Sequence, residues 1–266
     1  MVIIVEIVVI GSGSGGNATY IKGSSATIFI DAGIPLKQVK TKLSENGIND
    51  PKIDGLIITH EHTDHTKCMQ AIINHYNMPF YINEKSFFSL GSEIFSNIKN
   101  LEHTFINPFE KIKINDMELE FIPLSHDARE CLGIIIREYD KKIVYIADTG
   151  YVDMEYRTIL SDANCYLFEA NYDPAMEMES NRPQNLKNRV LGDRGHLSNE
   201  DSAVNLSYLI TDKTKNVIFI HRSRDCNTLD ILKETVFNVF EAYSIDTSSI
   251  TFDYAEQFIQ TRTIEV

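Results

Sequence analysis

The sequence predicts an α+β chain in which two mixed β-sheets pack as a sandwich with helices outside. Three observations carry this. Short runs rich in β-branched and aromatic residues recur along the chain, separated by turn signals. Helical periodicities fall between them rather than at one end. Hairpin-type connections are too frequent for a purely parallel sheet.

Taken in order, Val2–Ile10 reads as a strand and Gly11–Asn17 as a loop. Ala18–Lys22 and Thr27–Asp31 are β-rich, and Gly23-Ser24-Ser25 between them suggests a hairpin. Pro35–Asn46 reads as a helix: Pro35 suits a first turn, Leu36, Val39 and Leu43 share a face, and Gly47 closes it. Leu56–Thr59 is a short buried strand, after which Met69, Ile72, Ile73 and Tyr76 give the helical period. Strands are expected at Glu118–Pro123, Leu132–Arg137, Ile143–Ala147 and Cys165–Glu169, with a turn at Tyr139–Lys142. A helix over Glu200–Ile210, a buried strand at Val217–Ile220, a helix over Leu229–Tyr243 and a strand at Ser249–Tyr254 complete the chain. No linker, low-complexity tract, coiled coil or obvious short repeat divides it, so residues 1–266 are read as one domain.

With 43% hydrophobic and 24% charged residues over 266 positions, wholesale disorder is excluded. Val2–Ile10 is interrupted by Glu6, is too short to span a bilayer, and lacks a signal peptide's basic start, so no membrane partner is expected. Four cysteines without a CxxC pair fit free thiols in a reducing compartment, which points to the cytoplasm. The net charge of −13 argues against a general nucleic-acid coat protein but leaves room for a local basic patch.

Gly11-Ser12-Gly13-Ser14-Gly15-Gly16 matches GxGxxG, with Asp31 twenty residues after Gly11. That motif needs a helix directly after the glycines to receive a pyrophosphate. Asn17–Lys22 is β-rich instead, so no nucleotide cofactor is expected and the loop is read as a flexible segment near a site.

The chemistry lies in His60-Glu61-His62-Thr63-Asp64-His65, which holds three of the eight histidines in six positions. In extended backbone His60 and His62 project to the same side and can grip one ion. As the chain turns into the next helix, Asp64 and His65 face a second point. Imidazole with carboxylate suits Zn²⁺, Mn²⁺ or Fe²⁺. Further ligand types stand at apolar strand ends: His126, Asp148 and His221. The count closes with His60, His62 and His126 on one divalent ion, Asp64, His65 and His221 on a second, and Asp148 bridging.

The order HxHxDH, His, Asp, His resembles that of the metallo-β-lactamase-fold hydrolases. The resemblance implies an αββα sandwich with a dinuclear transition-metal site at its edge and hydrolysis by metal-activated water. Flavin-partnered, oxygen-reducing relatives carry glutamate where His62 stands, so hydrolysis is favoured over redox chemistry. Gly195-His196-Leu197-Ser198-Asn199-Glu200 has helix-capping spacing between Ser198 and Asp201. It is also similar to the segment that the nuclease branches of the fold place beside the metals, including tRNase Z and the ribonuclease J group. By that similarity His196 would stabilise the transition state or protonate the leaving oxygen, and Asp64 would help orient the nucleophile. His75 and His103 read as ordinary helix or loop residues.

Only 47 residues separate Asp148 from His196, which leaves no room for the large inserted domain of the ribonuclease J group. The chain looks most like the YycJ (WalJ) family, associated with 5′–3′ exonuclease activity on DNA. The similarity runs through Ser12–Thr19, His60–His65, Ser125–Ala128, Asp148–Val152, Phe168–Asp173 and Gly195–Glu200. It departs after His221, where that family runs His-Leu-Ser and this chain has His-Arg-Ser-Arg.

Arg182, Lys187, Arg189 and Arg194, with Arg222 and Arg224 beside His221, could form a positive patch that guides nucleic acid to the metals. The reading is a two-metal phosphodiesterase acting on nucleic acid, DNA before RNA, and specifically a 5′–3′ DNA exonuclease. The rivals are an RNA-processing nuclease, a small-molecule hydrolase acting on a lactam, lactone or thioester, and a binding module without turnover.

Overall fold

The computed structural model describes residues 4–266, so Val2 and Ile3 of the expected first strand lie outside the described residues. In chain order, β1 (Glu6–Gly11), β2 (Ala18–Lys22), β3 (Thr27–Ile30), β4 (Gly55–Ile57), β5 (Phe80–Ile82) and β6 (His103–Phe105) build the first sheet. The second holds β7 (Lys111–Ile114), β8 (Met117–Leu124), β9 (Cys131–Glu138), β10 (Lys141–Ile146), β11 (Cys165–Glu169), β12 (Asn216–Ile220) and β13 (Thr251–Tyr254). A last strand, β14 (Ile264–Glu265), returns to β1, giving two seven-stranded sheets.

The two sheets repeat one plan. Read from the β14 edge and from the β7 edge, each has three antiparallel pairings followed by three parallel ones. The sequence shows no repeat, so this shared plan is legible only in the fold.

Strand alternation explains the layers. In β10, Ile143 and Tyr145 face the other sheet while Val144 and Ile146 face the helices, and β11 divides Leu167 from Phe168 in the same way. Ile7, Val9, Ile28, Phe121, Ile134 and Ile218 close the inter-sheet core. The helices Leu36–Glu45 and Met69–Tyr76 cover the outer face of the first sheet through Val39, Leu43, Met69 and Ile72. Asn199–Leu209 and Leu229–Ala242 cover the second through Leu206, Leu232, Val236 and Phe240. Because both faces of the central strands are covered, their sequences read as near-continuous apolar runs.

Residues 80–114 and the helices Pro174–Glu179 and Gln184–Leu191 were not foreseen. The first region is built from strands of three or four residues, too short to show a period of two, and from the short helices Glu84–Phe87 and Ser92–Ile98. The basic segment after Arg182 is a helix, with Lys187 and Val190 turned inward. No helix among the described residues is long and apolar enough to cross a membrane.

Candidate metal centre

After β4 the chain leaves the first sheet through Ile58 and Thr59, presents His60 and His62, and turns into the short helix Thr63–Thr66. His126, Asp148 and His221 follow β8, β10 and β12, and Glu169 ends β11. All stand on one edge of the sandwich. The potential ligand atoms of His60, His62 and His126 lie within 4.8 Å of one another, as do those of Asp64, His65 and His221. Asp148 falls within the same limit of His60 and His65, and of Glu169, His196 and His221. The structure therefore brings together all seven residues expected from the sequence, with Asp148 between the two triads.

Three buried atoms in this cluster have no hydrogen-bond partner: His60 Nε2, Asp148 Oδ2 and His221 Nε2. Each such vacancy costs about 1–3 kcal/mol unless a ligand fills it. Nitrogen and carboxylate lone pairs converging from several strand ends fit a divalent transition metal. Carboxylates and carbonyls behind the histidines fix their rings. Asp31 Oδ2 lies 2.7 Å from His65 Nδ1, and the carboxylate is itself held by the Thr59 amide and hydroxyl. His126 Nδ1 donates to the Gly195 carbonyl at 3.1 Å. Glu169 Oε1 takes the Nδ1 protons of His196 at 2.7 Å and His221 at 3.1 Å, while Oε2 accepts from the Thr149 amide. Holding the proton on Nδ1 leaves Nε2 for an ion.

Electrostatics divides the ligands. Burial, then repulsion from His65, pushes His60 well below the ordinary histidine range, and burial also lowers His126. Both are neutral donors at pH 7. Burial opposes charge on His221 and His196 as well, but the neighbouring carboxylates win. Asp148, Asp64 and Glu169 push His221 up to about 10, and Glu169 with Asp148 pushes His196 up to about 9. Burial would raise Asp64, yet the imidazoles of His221 and His65, 3.9 and 3.5 Å from its Oδ2, hold it well below the usual carboxylate range.

Three non-glycine residues of this edge, Asp31, Asp148 and His221, adopt left-handed φ values of 62°, 58° and 58°. Such conformations persist where surrounding contacts over-determine them, and they cluster at functional sites. The glycine loop is part of the same scaffold. It runs directly into β2, and the Asn17 amide nitrogen donates to the Asp64 carbonyl at 2.8 Å. At Gly33 a Cβ would lie 1.6 Å from that carbonyl oxygen, so only glycine lets the two segments meet.

Sequence reasoning missed Asp31, Asn17, Asp127 and Glu169 as site residues. Glu169 carries the same signal that singled out Asp148 and His221: a charged residue ending an apolar strand. Asp127 lies 3.3 Å from His126 Nε2 and is gripped by Arg189. Ser198 caps the helix Asn199–Leu209 through the Asp201 amide, while His196, two residues earlier, reaches Glu169 and stands 3.3 Å from Asp148. His75 pairs with Asp50 away from the site, and His103 stacks on Phe80 and Phe87.

The six cations do not form one free patch. Arg182 is bound to buried Glu177 and to Asp225, and Lys187 is buried with its ammonium on the Met178 carbonyl. Arg194 donates to the His126 and Ala128 carbonyls and so braces the His126 loop. Arg189 is spent on Asp127 but half-exposed at the rim. Among the described residues, Arg222 and Arg224 make no ion pair within 4.0 Å.

The profile of the β-lactamase superfamily domain matches residues 26–222. The exodeoxyribonuclease YycJ of Bacillus anthracis is 32% identical over 234 residues, 88% of each chain. The exodeoxyribonuclease WalJ of Streptococcus pneumoniae is 31% identical over 231 residues, 86% of each. Among solved structures, the metallo-β-lactamase-fold protein YhfI of Bacillus subtilis superposes with a TM-score of 0.71 at 14% identity, covering 99% of this chain and 100% of that one. The chain is thus a metallo-β-lactamase-fold hydrolase and belongs to the YycJ/WalJ family of the β-lactamase superfamily.

Proposed function

We propose that the chain is a dinuclear metal-dependent phosphodiesterase that degrades DNA from the 5′ end. The observation that carries this reading is the pair of three-residue clusters meeting at Asp148, with His196 beside them on a carboxylate. His60, His62 and His126 would hold one ion, Asp64, His65 and His221 the other, and Asp148 would touch both. Two divalent ions so bound, with zinc and manganese as the candidates, would supply Lewis-acid charge at the phosphate and activate water.

The protein's own groups do the rest. His196, kept protonated by Glu169, presents a hydrogen-bond donor toward a phosphoryl or leaving oxygen. Asp64, ionised at neutral pH, accepts a proton or aligns the attacking water. Arg189, Arg222 and Arg224 offer positive charge at the rim of a protein whose net charge is −13. The DNA preference is supported by the names of the two relatives. Four free cysteines, three of them buried, suit a reducing, cytoplasmic setting.

The test is digestion of end-labelled single- and double-stranded DNA and RNA by Zn²⁺- and Mn²⁺-loaded protein. Stepwise loss of a 5′ label from DNA is expected. Turnover of RNA alone would move the reading to RNA processing. Turnover of lactams or thioesters, with every phosphodiester inert, would overturn it.

A further inference from the structure

Beside the metal centre the chain exposes two adjacent large apolar residues, Phe258 and Ile259, each 59% accessible. They wall a cleft of about 280 Å³ together with Arg222, Arg224, Glu256 and Gln257. The guanidinium of Arg224 lies over the Phe258 ring, 4.9 Å from its centroid. Arg222 directly follows the ligand-type residue His221, and its Nε is buried without a partner. Phe258 and Ile259 thus form a contiguous exposed apolar patch rimmed by two arginines free of ion pairs, the kind of surface that marks a ligand site.

The cleft is fixed to the metal edge. Ser12 donates its amide to the Glu256 carbonyl at 3.0 Å and accepts the His221 amide on its hydroxyl at 2.8 Å. Gln257 packs so closely on the glycine loop that a Cβ at Gly15 would lie 1.6 Å from its side-chain nitrogen. One short loop therefore contacts both His221 and the segment that carries Phe258, which sets that segment's position relative to the proposed ions.

We infer that Phe258 is a stacking platform for one unpaired nucleobase of the strand being cleaved, with Arg222 and Arg224 neutralising the phosphates on either side of that nucleotide. This rests on the nucleic-acid phosphodiesterase reading. The chemistry selects a base over a bare phosphate: a flat π-face suits the ring, while the negative charge of Glu256, one of the cleft residues, disfavours a lone anion. Stacking on an aromatic face tolerates any base, so the platform grips single strands without reading sequence. It also favours an unpaired strand, because a base inside a duplex already has both faces stacked on its neighbours.

The experiment measures inhibition of bis(p-nitrophenyl) phosphate hydrolysis by the metal-loaded enzyme. Two hydrolysis-resistant phosphorothioate chains of equal length compete, one of thymidylate and one abasic. The parent should bind the thymidylate chain about 5- to 150-fold more tightly than the abasic one. In Phe258→Ala that ratio should fall toward one, while the constant for the abasic chain stays near the parent's and reports an intact fold. Phe258→Trp should keep the ratio or raise it. A parent that binds both chains equally, or a ratio unchanged in Phe258→Ala, overturns the platform and leaves the phosphodiesterase reading standing. A parent that hydrolyses the small ester and is inhibited by neither chain overturns both.

Discussion

Replacing Glu169 by glutamine isolates what a carboxylate behind the ligands does. The side chain is fully buried and takes hydrogen bonds from His196, His221 and Thr149. Glutamine has nearly the same shape, so no cavity forms and the effect is confined to charge and proton placement. If the new amide oxygen serves Thr149, its NH₂ faces both imidazoles and forces their Nδ1 atoms to accept. His221 would then carry its proton on Nε2, the atom it offers to an ion. If the oxygen instead serves the histidines, the NH₂ meets the Thr149 N–H and a buried donor goes unpaired, at about 1–3 kcal/mol. Loss of such a supporting carboxylate lowers metal affinity about 10- to 100-fold. The loss should fall on the ion of Asp64, His65 and His221, because His60, His62 and His126 do not touch Glu169. Competitive chelator titration should show one weakened and one unchanged ion, with circular dichroism showing an intact fold. Two ions bound within twofold of the parent would refute the reasoning.

Four further outcomes follow from the same contacts. A His60→Ala, His62→Ala double variant should lose metal and activity together, and two ions still present by elemental analysis would sink the ligand assignment. His196→Ala should keep its metals while turnover falls about 100- to 1,000-fold, as on losing an oxyanion donor; turnover within a factor of two would return His196 to a helix-cap neighbour. With single strands, each phosphate contact contributes about −0.7 to the logarithmic salt slope, so Arg222→Ala with Arg224→Ala should flatten the slope by about 1.4. A slope that does not move would place both on an ordinary solvated loop. Arg182→Ala should leave that slope alone and destabilise the fold by about 2 kcal/mol or more, because buried Glu177 loses its cation; an unshifted thermal midpoint would contradict the structural role.

The fold was legible where the signal was long. The strands around Ile143–Ala147 and Cys165–Glu169 are continuous apolar runs because both their faces are buried, and their limits were read to within a residue or two. The region 80–114 was silent because Phe80–Ile82 and His103–Phe105 are too short for any period. The site was legible in its ligands and opaque in their supports. HxHxDH is dense and local, whereas Asp31 and Glu169 act through contacts far along the chain, Asp31 on His65 across 34 positions and Glu169 on His196 and His221 across 27 and 52. Asp31 stood out in the sequence only by its spacing from a glycine motif whose dinucleotide reading the β-rich Asn17–Lys22 excludes; its contact with His65 gives it a different role. The basic patch misled because charge counting cannot see partners: Arg182 and Lys187 point at Glu177 and the Met178 carbonyl, not at solvent.

The shared plan of the two sheets explains why the centre lies where it does. In each sheet the fourth strand from the edge, β3 or β10, is where antiparallel pairing gives way to parallel pairing. Beyond both strands stands an aspartate forced into left-handed φ, Asp31 after β3 and Asp148 after β10. A parallel neighbour cannot be reached by a tight hairpin, so the chain must leave the sheet there, and its backbone turns at the strand end. Two such exits, brought side by side by sheet-on-sheet packing, put two carboxylates on one edge. Their duties have diverged. Asp31 is sealed behind His65 and Thr59 and supports a ring, whereas Asp148 lies among His60, His65, His196 and His221 with one oxygen unpartnered. The energy that holds Asp148 in an unfavourable backbone conformation comes from the surrounding contacts, including the Gly150 amide on the Ser125 carbonyl and the Thr149 amide on Glu169. Glu169 therefore carries two loads, the tautomer of His221 and the strained turn that aims Asp148. That shared load is why a single buried carboxylate distant from HxHxDH in sequence belongs to the centre as much as the histidines do.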